Sequence, residues 1–487
     1  MTKTDASAPV WEQKIYSNGW SDGSGEPLIV IAPGSGRQVG IVGGATAEDV
    51  DNAAATAVAA QRDWAALPYS ARAQVMLKAA QLLGDDPDRL ARYLVAEAGS
   101  SAGKAGFEIG LVVSELQESA AVASHPYGEV LRSVKNRTSI ARRLPLGVVG
   151  VISPFNFPAI LSMRSVAPAL ALGNAVVLKP DPRTPIAGGL ALAELLEEAG
   201  LPAGVLHVLP GGPDVGAALV EHPQIPCISF TGSTAAGRKI GEAAAPLLKR
   251  VHLELGGNNA MLVLPDADPV AAASVGAWGS FLHQGQICMT TGRHLVHRSI
   301  APQYVAALTK KAKNIPVGDP EEGAPLGPII DVHQRDRVHA IVEAARAAGA
   351  EIAAGGEYDG LYYRPTVVTL DDIDNPAWRQ EIFGPVAPVL VYDDLDEAID
   401  IINASEYGLS VSIVTANPYF AYELADRVHS GAVHINDATV DDEAVIPFGG
   451  VKASGVGGRF GGPKANLDTF TEVQWVTMQG HVEQYPF

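Results

Sequence analysis

Through the middle of the chain, short β-branched runs bounded by Gly and Pro alternate with longer stretches whose apolar residues recur at helical spacing. Gly147 to Ser153 opens the series as a strand, and Asn174 to Lys179 follows as a second. Thr184-Pro185 then caps and opens a helix running to Gly200, and Gly204 to Leu209 returns as the next strand. Two more units complete the pattern: helix Asp214 to Glu221 with strand Cys227 to Phe230, and helix Thr234 to Ala245 with strand Arg250 to Glu254. This βαβ rhythm predicts an α/β fold built on a doubly wound parallel sheet.

The flanking regions carry other patterns. Thr46-Ala-Glu-Asp49 reads as a capping box with Asp as its acid, ahead of an Ala-rich amphipathic helix reaching Trp64, and a second helix covers Ala71 to Leu83. His125 to Arg143 is polar and mixed in charge, and reads as an excursion from the core suited to an oligomerisation arm. After Gly256-Gly257 a second α/β stretch begins, with helices over Pro269 to Phe281, Ala301 to Asn314 and Asp331 to Ala348. Its strands fall near Val386 to Tyr392 and Val411 to Val414, and it is expected to form a separate catalytic domain. No internal repeat interrupts this plan.

Composition narrows the function. At 487 residues the chain exceeds one ordinary core, so two or more domains are expected. A net charge of −19 argues against nucleic acid as a partner, and Lys310-Lys-Ala-Lys313 reads as a solvated helix face. Apolar runs such as Val148 to Ile152 and Ile160 to Leu172 are quickly broken, which argues against membrane insertion. Met1 to Ser7 has no apolar signal core, and the two cysteines form neither a C-x-x-C pair nor a disulfide framework, so a cytoplasmic location is expected.

Of those cysteines, Cys227 falls in a strand and reads as core, whereas Cys288 lies in Phe281-Leu-His-Gln-Gly-Gln-Ile-Cys-Met-Thr-Thr-Gly292, a segment of small, polar and Gly residues. A turn leading into a short helix would surround Cys288 with backbone N–H groups that favour the thiolate, against the alternative of an inert buried thiol. Gly34-Ser-Gly-Arg-Gln-Val-Gly40 and Gly455-Val-Gly-Gly-Arg-Phe-Gly461 both have the wrong spacing for a dinucleotide fingerprint. Phe230-Thr-Gly-Ser233 is better placed, because a strand there ends in a small-residue turn that opens a helix, and phosphate can bind at such an N-terminus. Taken singly, Glu254 could end a strand and Asn156 could cap a helix. His294 and His297 fall on one strand and no H-E-x-x-H occurs, so no metal is expected.

Over nearly its whole length the chain resembles the aldehyde dehydrogenase superfamily, through ordered motifs. Pro154-Phe-Asn-Phe-Pro158, Lys179-Pro180, Phe230-Thr-Gly-Ser233, Leu253-Glu-Leu-Gly-Gly257, Gly285-Gln-Ile-Cys288, Glu381-Ile-Phe-Gly-Pro385 and Pro447-Phe-Gly-Gly-Val-Lys-Ala-Ser-Gly455 all match, with Glu254 standing 34 residues before Cys288. The resemblance implies Cys288 as nucleophile, Asn156 as oxyanion donor and Glu254 as the base for water. It assigns the dinucleotide to Ser153, Pro154, Phe155, Lys179, Arg183, Gly212, Phe230, Thr231, Gly232, Ser233, Leu255, Glu381 and Phe383. It also implies a Rossmann-type dinucleotide domain (1–121 and 146–256), an α/β catalytic domain (257–470) and a β oligomerisation arm (122–145 and 471–487), assembled as a homodimer or homotetramer.

Finer expectations follow from the branch most resembled, the benzaldehyde and vanillin dehydrogenases. An aromatic aldehyde would sit among Phe157, Ile160, Met289 and Phe448. Arg164 stands where many relatives have an aromatic residue, and would bind a ring substituent or, by default, face solvent. Many relatives carry a ribose-binding carboxylate where this chain has Pro182, while Arg183 could meet a 2′-phosphate, so NAD is expected first and NADP is possible. Semialdehydes and aliphatic aldehydes are the substrate alternatives. A CoA-acylating dehydrogenase, a cysteine hydrolase or acyltransferase activated by His283, and a non-catalytic dinucleotide-binding protein are the rival classes.

Overall fold

The computed structural model describes residues 9–487, so Met1 to Ser7, read above for a signal sequence, lies outside the described residues. The first sheet runs in the order Arg250–Glu254, Cys227–Thr231, Val148–Ile152, Ala175–Lys179, Leu206–Val208, then Ile15–Ser17 and Trp20–Ser21. Its first five strands are parallel. Val148, Val149, Val151, Val176, Val177, Leu178, Cys227 and Ile228 are all buried, as strands covered on both faces require. Strand order reverses between Val148–Ile152 and Cys227–Thr231, and the carboxyl ends on either side of that reversal border the crevice where such sheets take ligands.

The capping box forms as read, with Thr46 and Asp49 bonding each other's backbone N–H at the start of helix Ala47–Ala66, and the second helix covers Tyr69–Asp85. The helix expected from Thr184 differs. It opens as a π turn, Ile186–Leu190, and continues as α-helix Ala191–Glu198. Thr184 caps nothing: its hydroxyl is buried without a partner, and the free N–H groups of Ile186 and Ala187 bond the Glu97 carboxylate at 3.1 and 2.7 Å. That acceptor lies some ninety residues upstream, beyond the reach of any local pattern.

Two helices escape the periodicity, Asp88–Ala98 and Ala102–Val122. Both bury charged residues on the inner face, Glu97 in the first and Lys104, Glu108 and Glu115 in the second, so the apolar stripe that marks a helix is broken.

A second sheet takes up Glu351–Ala354, Thr366–Leu370, Val386–Tyr392, Thr291–His297, Asn259–Val263, Ser410–Val414 and Ala432–Ile435, parallel except at its first pair. Helices Pro269–Phe281 and Ala301–Asn314 share one core with it, and Val332–Ala347 and Leu395–Asn403 share another. A third, antiparallel sheet joins Gly128–Val130, Thr138–Pro145 and Thr471–Met478, with Val473, Trp475 and Met478 exposed on its last strand.

The first two sheets meet at Gly256-Gly257, where the chain passes from Glu254 to Asn259 in a few residues. A loop from the end of the chain crosses this junction: Leu255 N–H donates to the Ser454 carbonyl at 2.9 Å, and Glu254 bridges Gly455. Among the described residues no helix is long and apolar enough to cross a membrane.

Candidate active site

Cys288 follows three successive left-handed residues, His283, Gln284 and Gly285, with φ of 48°, 56° and 64°. A side chain at position 285 would collide with the Gly384 carbonyl, so glycine is required there. Gln284 Nε2 donates to the Gly99 carbonyl at 3.0 Å, Gln286 Oε1 accepts from Ile330 N–H at 3.0 Å, and the Thr290 hydroxyl donates to the Gly285 carbonyl at 2.9 Å. Asn259 Nδ2 donates to the Cys288 carbonyl at 2.8 Å. The backbone around Cys288 is thereby fixed from the second sheet and from the end of helix Asp88–Ala98.

No helix begins at Cys288, contrary to the expectation: a 3-10 turn, Leu282–Gly285, precedes it and strand Thr291–His297 follows. The thiol is pushed up to about 12, by burial first and then by the Glu381, Glu254 and Asp442 carboxylates, with the Met289 N–H opposing. The predicted thiolate-favouring surroundings are thus absent. One N–H does not outweigh desolvation and three acids.

Asn156 sits where the loop after Val148–Ile152 turns into helix Pro158–Ala171. It does not cap that helix. The free N–H groups of Ala159 and Ile160 go to Glu108 Oε1 at 2.8 and 3.2 Å, and Glu108 Oε2 pairs with Lys104 Nζ at 2.5 Å. Lys104 Nζ also donates to the Asn156 carbonyl at 2.8 Å and lies 4.0 Å from the centre of the Phe157 ring. With the backbone held this way, Asn156 joins Cys288 in lining an apolar cavity. Neither Lys104 nor Glu108 was legible in advance, since a Lys and a Glu four apart on a helix read as a solvated pair.

That cavity is walled by Phe107, Phe157, Ile160, Ile287, Met289 and Phe448, with Asp441 and Asp442 at its polar margin. Phe157, Ile160, Met289 and Phe448, read above as the aldehyde's surroundings, line one cavity with Cys288. Arg164 does not: it is 0% exposed and lies outside the wall, bound to Asp442 at 2.7 Å, facing Glu115 at 3.9 Å and stacked 5.4 Å from the Phe448 ring centre. It neither faces solvent nor lines the cavity. Two carboxylates hold it in the protein interior.

Glu254 ends the edge strand of the first sheet and is 2% exposed. Its Oε2 accepts the Gly450 N–H at 3.2 Å, and its Oε1 lies 3.5 Å from His252 Nε2. Burial raises its pKa, against opposing contributions from His252, Gly450 and Arg459. His283, the base required by a cysteine hydrolase, makes no hydrogen bond to Cys288. Its ring packs edge-on to Phe157 at 5.6 Å, and burial beside Lys104 drives its pKa well below the usual range.

The residues assigned to a dinucleotide gather at the carboxyl ends of the first sheet. Ser153 follows Val148–Ile152, Lys179 ends Ala175–Lys179, and Gly212 opens helix Pro213–Glu221 after Leu206–Val208. Phe230, Thr231 and Gly232 lead into Ser233, whose hydroxyl caps helix Thr234–Ala244 through Ala236 N–H at 3.3 Å. Gly232 N–H donates to the Glu254 carbonyl at 3.0 Å, which ties this turn to the proposed base. Lys179 is buried, with Nζ on the Pro180 carbonyl at 3.2 Å and its pKa lowered by burial.

Toward the second sheet, Phe155 meets Phe383 edge to face at 5.9 Å, and the Arg183 guanidinium lies 4.2 Å from the centre of the Phe155 ring. Pro154 is half-buried beside them, and Leu255 is buried against Gly237. Glu381 Oε1 accepts the Gly257 N–H at 2.9 Å, and burial raises its pKa to about 7. Two helix N-termini, a buried lysine and a carboxylate at the crevice fit a dinucleotide.

Arg183 is committed elsewhere, contrary to its reading as a free partner for a 2′-phosphate. It pairs with Asp181 at 2.8 Å and with Asp331 at 2.7 Å, so two acids already neutralise it.

The aldehyde dehydrogenase family model matches residues 20–476. This chain belongs to the aldehyde dehydrogenase family. It is 56% identical to a vanillin dehydrogenase from an Amycolatopsis species over 478 residues, covering 98% of each chain. It is 49% identical to benzaldehyde dehydrogenase [NAD(+)] from Pseudomonas putida over 481 residues, covering 98% of this chain and 99% of that one. The NAD+ complex of an aldehyde dehydrogenase from Bacillus cereus superposes with a TM-score of 0.93 at 35% identity, covering 96% of this chain and 97% of the other. The order and spacing of the seven motifs had already placed this aldehyde dehydrogenase in its family; Lys104, Glu108, His252 and Asp442 emerge only from the fold.

Proposed function

We propose that this enzyme uses NAD to oxidise aromatic aldehydes of the benzaldehyde and vanillin type to carboxylic acids, with the acyl group held on Cys288. The observation that carries the reading is the shared cavity: nucleophile and amide donor open onto one ring-lined space, with a buried carboxylate nearby.

The Cys288 sulfur, giving up its proton to water, attacks the aldehyde carbon, and the oxygen of the resulting thiohemiacetal is met by the Asn156 amide and the Cys288 N–H. Dinucleotide, when bound, supplies the hydride acceptor that turns this adduct into a thioester. Glu254 takes a proton from water as the water oxygen attacks the thioester carbonyl, releasing acid and restoring the thiol. Lys179, the Ser233 turn and Glu381 bind and orient the dinucleotide. In this reading the sheet over residues 146–256 belongs to its domain, residues 257–470 form the catalytic domain, and the third sheet serves as the arm of a homo-oligomer.

Relatives named for vanillin and for benzaldehyde support the substrate class, and the cavity gives a physical reason. Aromatic and aliphatic walls suit a ring. A semialdehyde carboxylate would meet Asp441 and Asp442 at the margin, with Arg164 already consumed. Asp442 Oδ1 lacks any partner and offers an acceptor to a ring hydroxyl. Across benzaldehyde, vanillin, succinic semialdehyde and a medium-chain aldehyde, the two aromatics are expected to show the highest kcat/KM. A maximum on either of the others would overturn the assignment.

Cofactor preference follows from Arg183. With its charge spent on Asp181 and Asp331, a 2′-phosphate finds no free cation there and two acids nearby. The ratio of kcat/KM is expected to favour NAD over NADP by about tenfold or more, at least ~1.4 kcal/mol. A preference for NADP would refute this account of the loop.

A further inference from the structure

We propose that Asp442 determines specificity: it takes aromatic aldehydes carrying a 4-hydroxyl in their neutral phenol form and turns away the phenolate. The proposal rests on the aromatic-aldehyde reading of the cavity given above.

Among the described residues that line the cavity, only Asn156, Asp441 and Asp442 bring polar side chains to it besides the nucleophile. The Asn156 amide is reserved for the carbonyl oxygen, and Asp441 is exposed, its Oδ1 accepting the Asp442 N–H at 2.9 Å. Asp442 is the interior acceptor. Its Oδ2 is held by Arg164 Nη2 at 2.7 Å, while Oδ1 is buried without a partner. Buried polar atoms are nearly always satisfied, so a free carboxylate oxygen on a residue that walls a ligand cavity marks a place for a donor.

The charge on Asp442 follows from its neighbours. Arg164, from helix Pro158–Ala171, lies 2.7 Å from Asp442 but 3.9 Å from Glu115 of helix Ala102–Val122, and one cation balances one buried acid. Burial pushes Glu115 up to about 8 against the opposing pull of Arg164. Burial and Asp441 raise Asp442 as well, with Arg164 again opposing, and Glu118 and Glu254 act on the cluster from further off. At neutral pH Glu115 therefore keeps its proton, and Asp442, nearer the guanidinium, is the ionised partner.

A ring hydroxyl thus meets a group that can only accept, whereas a phenolate would meet a second negative charge among apolar walls. Arg164 cannot balance that charge, since it lies outside the lining and is already bound to Asp442.

The distinction matters for the reaction. A 4-formyl group makes a phenol acidic, so such aldehydes are partly ionised in neutral solution. In the phenolate the charge spreads through the ring to the carbonyl oxygen, and the carbonyl carbon becomes a poor electrophile for sulfur. A carboxylate is a weaker base than this phenolate, so the proton stays on the ring oxygen when the two meet. Asp442 admits the form that Cys288 can attack. A 3-hydroxyl lacks this conjugation. The 4-position is also the ring atom farthest from the carbon attacked, and of the three acids whose charge reaches Cys288, Asp442 acts most weakly.

The first test compares kcat/KM of the full-length enzyme with NAD on 4-hydroxybenzaldehyde and 4-methoxybenzaldehyde, which are alike electronically except for the donor. The hydroxyl compound is expected to be favoured about tenfold or more, and by more than in the matching 3-substituted pair. In Asp442→Asn, which keeps the size of the side chain, the 4-hydroxy to 4-methoxy ratio should fall about tenfold. A ratio is insensitive to any general loss of active protein. An unchanged ratio in the variant, or an equal preference in the 3-substituted pair, would overturn the assignment.

The second test reads the bound form directly, because a phenolate absorbs at longer wavelength than its phenol. In Cys288→Ala, which cannot form the adduct, bound 4-hydroxybenzaldehyde is expected to ionise about one pH unit or more above the free aldehyde. Adding Asp442→Asn should remove that difference. Ionisation at or below the pH of the free aldehyde while Asp442 is present would sink the proposal without any change at position 442. If the wild-type enzyme prefers a medium-chain aldehyde or succinic semialdehyde, the aromatic reading fails and this one with it. If it prefers aromatics but shows no advantage of 4-hydroxyl over 4-methoxyl, the role of Asp442 falls alone.

Discussion

Cys288→Ser is expected to lower aldehyde oxidation by about 10,000-fold or more while leaving NAD affinity intact. A hydroxyl is far less acidic than a thiol, and no base touches this position: His283 is turned away against Phe157, and Glu254 is engaged with Gly450 and faces His252. Dinucleotide binding should survive because Lys179, the Ser233 turn and Glu381 hold their places independently of the sulfur. Turnover near the wild-type rate would end the covalent mechanism. The same sulfur predicts a pH profile. With its pKa raised to about 12, the thiolate fraction, and with it alkylation by iodoacetamide, is expected to rise about tenfold per pH unit across the neutral range. A plateau there would show that the thiol is already ionised.

The second large effect belongs to a residue that touches no substrate. Lys104→Met strands the Glu108 carboxylate, which is 0% exposed, and the uncompensated charge is expected to destabilise the protein by about 3–5 kcal/mol. It also releases the Asn156 carbonyl, so kcat should fall with KM little changed, as oxyanion stabilisation is a transition-state interaction. Lys104→Met combined with Glu108→Gln separates the two roles. The neutral amide still accepts from Ala159 and Ile160, so the thermal midpoint should recover, while kcat stays low because nothing holds Asn156. Recovery of both would reduce Lys104 to a structural counter-ion.

Those two residues illustrate where sequence reasoning stops. The parallel sheet was legible because each buried strand is a short β-branched run between turn residues, and helices Pro269–Phe281 and Ala301–Asn314 were legible because each starts with Pro in its first turn and carries helical periodicity. Cys288, Asn156 and Glu254 stood out because their motifs are contiguous, and the fold brings Asn156 and Cys288 to one cavity with Glu254 buried. Helix Ala102–Val122 was hidden by the inward-facing Lys104, Glu108 and Glu115, charges that make sense only against partners some fifty or more residues along the chain. Arg164 and Arg183 failed for the same reason: a sequence shows a cation but not the acids that occupy it. The thiolate inference failed because it weighed nearby N–H groups without the burial that overrides them.

The loop that lays Gly450, Ser454 and Gly455 across Glu254 and Leu255 comes from the last tenth of the chain. During synthesis the cysteine therefore leaves the ribosome more than 150 residues before the segment that seals its surroundings. Until then Glu254 lacks its Gly450 donor, and the cavity lacks Phe448 and both aspartates. A nascent chain halted short of this loop carries all three reacting groups yet no enclosed site, so it cannot hold an acyl group away from bulk water. The residues that close the site are thus synthesised after every strand of the first two sheets.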